Sequence, residues 1–171
     1  MGRRYIGIEI GEHAKTHCAA RLRKVIDGEQ GGISEAVGWK GGGGFRFYDL
    51  GDTIFDEDGK IRETITFDQL AAHIWFYETK TPYNIPETKS AALGVHNGVA
   101  YALLYNGILH DKRVDGGNVL TILTLDTIRK NFGDAEYEKL VIYGEASLFD
   151  SAGLKDLNIQ FRQTPYDVRV K

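Results

Sequence analysis

The chain has 171 residues, enough for one domain with a real core, or one domain plus an appendage. Its 42% hydrophobic and 26% charged residues exclude a largely disordered polymer, and a net charge of -3 with a pI near 6.0 excludes the overall basic balance of a free-standing nucleic-acid binder. A single cysteine, Cys18, excludes a disulfide within the chain and fits a reducing cytoplasm, and no apolar run reaches the roughly 18 residues of a membrane-spanning helix.

The first element expected is a buried strand over Tyr5–Ile10, where Ile6, Ile8 and Ile10 are β-branched and Gly7 permits close backbone approach. Glu9 is the odd residue in that run. A carboxylate there is costly unless it stands at the strand's carboxyl end with a partner, the place where open α/β sheets bind ligands and where an acidic side chain accepts hydrogen bonds from ribose hydroxyls. The plainer alternative is an exposed strand-end carboxylate that touches nothing. A helix carrying Leu22, Val25 and Ile26 follows, with Arg21, Arg23 and Lys24 near its C-terminus, and Asp27-Gly28 is its expected stop.

Residues 29–44 hold a third of the chain's 21 glycines and read as a connector. Phe45–Leu50 alternates like a strand, Asp56–Gly59 reads as a turn, and a helix over Thr66–Tyr77, capped by Thr66 or Asp68, places Leu70, Ile74 and Tyr77 on one face before Thr81-Pro82 stops it. Asn97-Gly98 between two apolar runs, Ala92–His96 and Val99–Tyr105, is a hairpin signal. A helix over Leu123–Phe132 with Thr124 as cap, a buried strand over Lys139–Tyr143, a short helix over Ser151–Leu157 and a last strand over Ile159–Gln163 complete the pattern. The fold class is therefore α/β, with an N-terminal βα piece (1–28), a Gly-rich connector (29–44) and a C-terminal α/β domain (45–171) built from a hairpin and a β-α-β return.

The residues Arg4–Ile10 followed by Ala20-Arg21-Leu22 resemble the strand and helix just after the S-adenosylmethionine loop of amino-group DNA methyltransferases. Together with Gly28–Ser34, Gly42–Tyr48, Leu70–Phe76, Tyr143–Ala146 and Gln163–Val168, they make the chain similar to the C-terminal part of the modification subunits of type III restriction-modification systems, which are adenine-N6 DNA methyltransferases. The resemblance implies that the βα piece belongs to a Rossmann-like methyltransferase sheet and that Glu9 contacts the ribose of S-adenosylmethionine. It further implies as partners the remainder of the methyltransferase, a second copy of the subunit, a restriction subunit, and DNA through the full-length protein. The chain departs from the family in one large respect: neither a [D/N]PP[Y/F] tetrapeptide nor an FxGxG loop occurs in it, so Met1-Gly2 reads as a start placed just past the cofactor loop, and no catalytic residue carries over. A second reading is an independent, non-catalytic interaction module of a restriction-modification system.

Other constellations have plainer explanations. His13 and His17 share a helix face beside Cys18, but Ala14 stands where a zincin needs glutamate, so a solvated face is expected and no metal ligand is assigned. Gly41–Gly44 lacks the Gly-Lys-Ser/Thr of a phosphate loop. Asp68 with Glu78-Thr79-Lys80 resembles a nuclease acidic pair plus lysine only loosely, because the Glu-x-Lys falls at a helix end. Tyr166 and Asp167 are expected to pack the end of the last strand.

Overall fold

The computed structural model describes residues 4–165, and the chain divides into two compact units, Met1–Gly51 and Asp52–Lys171. In the first unit a π-helical segment, Ala14–Ala19, runs into α1, Ala20–Ile26, and a single turn, α2, spans Ile33–Ala36. The strand expected over Tyr5–Ile10 does not form here. Its backbone has no strand beside it in this unit, and Ile6, Ile8 and Ile10 are 93%, 89% and 100% exposed. An apolar run becomes a strand only where a ladder partner takes its N–H and C=O groups. Phe45–Leu50 likewise is not a strand: Tyr48 and Leu50 are exposed, and Asp49 pairs with Lys15 of the helix.

The glycine-rich stretch 29–44 is tied back to the helix before it. The Trp39 indole donates to the Val25 carbonyl at 2.7 Å, and Gln30 donates to the Gly28 and Trp39 carbonyls at 2.9 and 2.7 Å. Gly42 donates its amide to Ile26. The chain therefore doubles back onto the carboxyl end of α1 and supplies donors to carbonyls that the helix leaves unpaired.

The second unit holds a four-stranded sheet in the order β1-β2-β4-β6, with β1 Ala92–His96, β2 Val99–Leu103, β4 Lys139–Gly144 and β6 Ile159–Gln163. A two-stranded parallel sheet of β3, Val119–Leu120, and β5, Ala146–Ser147, lies beyond its carboxyl edge. The β1–β2 hairpin is antiparallel, and Asn97 and Gly98 take the positive φ values, 50° and 75°, that a tight hairpin turn demands. The remaining pairs are parallel, joined by α4, Ile122–Phe132, and α5, Ser151–Asp156.

Alternation along the strands divides the core in two. Tyr101, Leu103, Val141 and Tyr143 meet Leu70, Ala71 and Ile74 of α3, Phe67–Thr79, on one face. Ala100, Ala102, Leu140 and Ile142 meet Leu125 and Ile128 of α4 on the other, with Leu154 of α5 packed against them. Both faces of β4 are covered, which is why Leu140–Tyr143 reads as an unbroken apolar run. The Asp56–Gly59 turn forms, with the Asp56 amide donating to Lys60. The cap of α4 is Thr121, not Thr124: Thr121 accepts the Thr124 amide, and Thr124, at the third helical position, reaches back to the Thr121 amide at 2.8 Å. Thr66 and Gln69 close the same reciprocal box on α3, and Lys80 ends that helix in the left-handed region.

Both caps can be compared directly. Thr66→Ala removes an exposed box and should cost about 1 kcal/mol in urea unfolding, while Thr121→Ala, whose buried hydroxyl also donates to the Val114 carbonyl at 2.8 Å, should cost roughly 2 kcal/mol. Equal losses would show that the Val114 bond contributes nothing.

Candidate functional site at the carboxyl edge of the sheet

Because β2, β4 and β6 run parallel, their carboxyl ends share one edge, and two polar groups are built there. In the first, Tyr143 of β4 and Arg162 of β6 are register partners. The Tyr143 hydroxyl donates to Glu78 Oε1, in the last turn of α3, at 2.5 Å, and the Arg162 guanidinium reaches the same oxygen at 2.7 Å and the tyrosine oxygen at 3.2 Å. Tyr143 is fully buried, and burial followed by the adjacent Glu78 carboxylate pushes its hydroxyl well above the usual tyrosine range. It is thus a neutral donor, not a nucleophile.

The second group organises the loop from Asn106 to Gly117. Asn118, fully buried, donates from its amide side chain to Ile108 O at 2.8 Å and Glu145 Oε1 at 2.9 Å, and accepts the Asn106 amide at 3.1 Å. Its backbone N–H goes to Asp111 and its carbonyl accepts from Glu145. Glu145 Oε1 also accepts the His110 amide at 2.7 Å, whereas Oε2 is buried without a hydrogen bond, 4.0 Å from His110 Nδ1. Asp111 accepts a fork from Arg113 at 2.8–3.1 Å and a bond from Asn106 at 2.5 Å; Arg113 first, then Asn106, hold its carboxyl well below the usual carboxylate range.

Tyr143-Gly144-Glu145 thereby acquires a distinct job for each residue. Tyr143 anchors α3, Glu145 anchors the long loop, and Gly144 leaves space that a Cβ would contest with the Asn118 carbonyl at 2.9 Å and the Phe161 ring at 3.2 Å. Such an arrangement positions segments around the edge.

Glu9 lies in the first unit, exposed, with Oε1 accepting the Gly11 amide at 3.0 Å. The His13 and His17 rings lie 5.0 Å apart and tilted at 39°, His17 Nδ1 lies 2.7 Å from the Thr16 hydroxyl, and Cys18 is exposed. Among the described residues no group of three His, Cys, Asp or Glu side chains could hold a metal, and no helix is long and apolar enough to cross a membrane. Asp68 and Glu78 stand ten positions apart on α3, about 15 Å of helix, so they do not share a cation. Asp68 pairs instead with Lys89 at 3.7 Å. Tyr166 and Asp167 lie outside the described residues. Of the residues forming the edge, Tyr143 and Glu145 sit within the motif that carries the family resemblance, and Glu78 stands out in the sequence only as part of a loose nuclease-like Glu-x-Lys. Asn118, Asp111 and Arg162 have no periodic signal, and only Asn118's place between a glycine pair and a short apolar run hints at it.

Comparison with known proteins relates the chain to the modification subunit of a restriction-modification methyltransferase. The relative is the probable type III restriction-modification enzyme HindVI Mod subunit of Haemophilus influenzae, 53% identical over 60 residues, which are 35% of this chain and 8% of the relative. The matched segment is a small part of a much longer protein. No family model matches, and no solved structure matches.

Two measurements check the edge. Arg162→Met strands the largely buried Glu78 carboxylate and should cost roughly 2–3 kcal/mol, while Arg162→Met with Glu78→Gln should lose less than the two single changes added together. Asp111 has a depressed pKa in the folded chain, so its contribution is present above the unfolded value and lost as pH falls through the folded one. Asp111→Asn should therefore destabilise at pH 7, and its gap to the parent should shrink as pH falls below about 4. A gap constant from pH 7 to 2 would contradict the Asp111–Arg113 assignment.

Proposed function

We propose that this chain is a segment of an S-adenosylmethionine-dependent, adenine-specific DNA methyltransferase of the type III modification-subunit kind. The observation that carries this reading is the 53% identity to a Mod subunit. Two features of the first unit support it. Ile6, Ile8 and Ile10 form an apolar run without a sheet to bury it, as a strand removed from its parent sheet would be. Beside them, Glu9 is exposed and among the described residues only its Oε1 is engaged, by the Gly11 amide, which leaves the other oxygen for ribose hydroxyls.

When bound, the cofactor supplies the methyl group. Glu9 binds and orients its ribose and acts equally on ground and transition states, since the ribose is remote from the reacting centre. The Asp52–Lys171 unit serves assembly, with the remainder of the methyltransferase, a second copy or a restriction subunit as its partners, and DNA reached through the full-length protein. The chain by itself transfers no methyl group, because the [D/N]PP[Y/F] loop that would hold the adenine amino group is not in its sequence. The competing reading, an independent non-catalytic module, predicts that the DNA upstream of Met1 encodes neither [D/N]PP[Y/F] nor FxGxG in frame.

In the protein that joins this segment to both loops, Glu9→Gln should raise the KM for S-adenosylmethionine about tenfold while turnover at saturation stays nearly constant, the loss of one charge-assisted hydrogen bond of roughly 1.5–3 kcal/mol. Glu12→Gln, at the helix start, should do little. Lower turnover at unchanged KM would refute the ribose assignment.

A further inference from the structure

A cavity of about 590 Å³ opens where the carboxyl end of β2 meets the first turns of α3 and α4. Its floor is apolar, formed by buried Ile65, Leu103 and Leu104. Its rim carries three charged side chains. Lys89 is already paired with Asp68; Glu63 and Asp115 are exposed and make no ion pair among the described residues, although Asp115 lies in the field of the Arg113 guanidinium. The charge of the whole unit has the same sign: residues 52–171 hold 13 Lys and Arg against 18 Asp and Glu, a net -5, whereas residues 1–51 hold 8 against 6.

Gly116 on the same rim adds a separate observation. A Cβ there would meet nothing within 4 Å, and its φ lies outside the left-handed region, so neither packing nor that conformation calls for glycine. What its missing side chain does is leave backbone open at the cavity mouth.

We propose that this groove docks a basic, extended segment of a partner polypeptide, taking a lysine or arginine side chain whose methylene stem lies over Ile65 and Leu103 and whose cation sits between Glu63 and Asp115. Long cationic side chains bury an apolar stem while keeping the charged head near carboxylates and water, which matches an apolar floor with an acidic rim. Nucleic acid is the wrong chemistry, since its phosphates would meet two exposed carboxylates on a unit of net negative charge. The inference stands on this unit alone and does not depend on the methyltransferase reading.

The test uses the whole 171-residue chain, isotopically labelled for amide NMR, with an acetylated and amidated nine-residue peptide of alternating lysine and alanine as probe and a nine-nucleotide single strand as contrast. Shifts on adding the peptide should cluster at Glu63–Phe67 and Asp115–Gly117, with none there on adding the oligonucleotide. Glu63→Gln with Asp115→Asn should weaken peptide binding about fivefold or more. Asp134→Asn with Glu136→Gln, which removes the same charge just before the amino end of β4, should weaken it less than twofold. Gly116→Ala should weaken binding with no loss of melting temperature. Shifts spread over all acidic residues, equal weakening by the two double variants, or oligonucleotide shifts centred on the groove would each overturn the proposal.

Discussion

The second unit depends on one buried amide. Asn118 makes five hydrogen bonds, two from its side-chain nitrogen, one to its side-chain oxygen and two through its backbone, and they join Asn106, Ile108, Asp111 and Glu145. A loop of a dozen residues without helix or strand must find partners for its backbone groups somewhere. Here one residue supplies three of them, at Asn106, Ile108 and Asp111, and Glu145 holds a fourth at His110. Glu145 is held from the same point, so β4, β5 and the loop share one anchor, and the parallel β3–β5 pair is a by-product of it. Gly144 is small because the Asn118 carbonyl occupies the space where a Cβ would go.

Local signals in the sequence were legible wherever the structure satisfies them locally. The Asn97-Gly98 turn and the helix over Phe67–Thr79 with its Thr66 cap have their causes within a few residues, and the runs at Lys139 and Ile159 find the ladder partners their residue types call for. The cap of α4 lies three positions before the Thr124 that the sequence suggests, because Thr121 and Thr124 are both threonines and form the two halves of one reciprocal pair. What could not be read was anything settled by distance along the chain. Asn118 meets Glu145 across 27 positions and Glu78 meets Tyr143 across 65. The run Tyr5–Ile10 shows the converse: its residue types suit a strand, but a ladder has two sides, and composition specifies only one of them.

The glycines of the first unit separate into two kinds. Gly28 and Gly41 face each other where the chain returns to the end of α1; a Cβ at Gly41 would fall 2.6 Å from the Ile26 carbonyl, and one at Gly28 would fall 2.9 Å from that of Lys40. Both have positive φ, so backbone conformation and close approach exclude a side chain together. Gly43 and Gly44 have open space around them. A run that looks uniform as text is thus a crossing point followed by slack.

The two tryptophans are distributed one to each unit. Trp39 is about a third exposed and tied by its indole N–H to the end of α1, while Trp75 is enclosed by Tyr83, His96 and Tyr101 and donates to the Thr81 hydroxyl. Each unit therefore carries its own intrinsic fluorophore, in a wet setting for the first and an aromatic one for the second. Emission from this chain is a sum of two spectrally distinct reporters, and a shift of its red or blue component during denaturation identifies which unit has come apart.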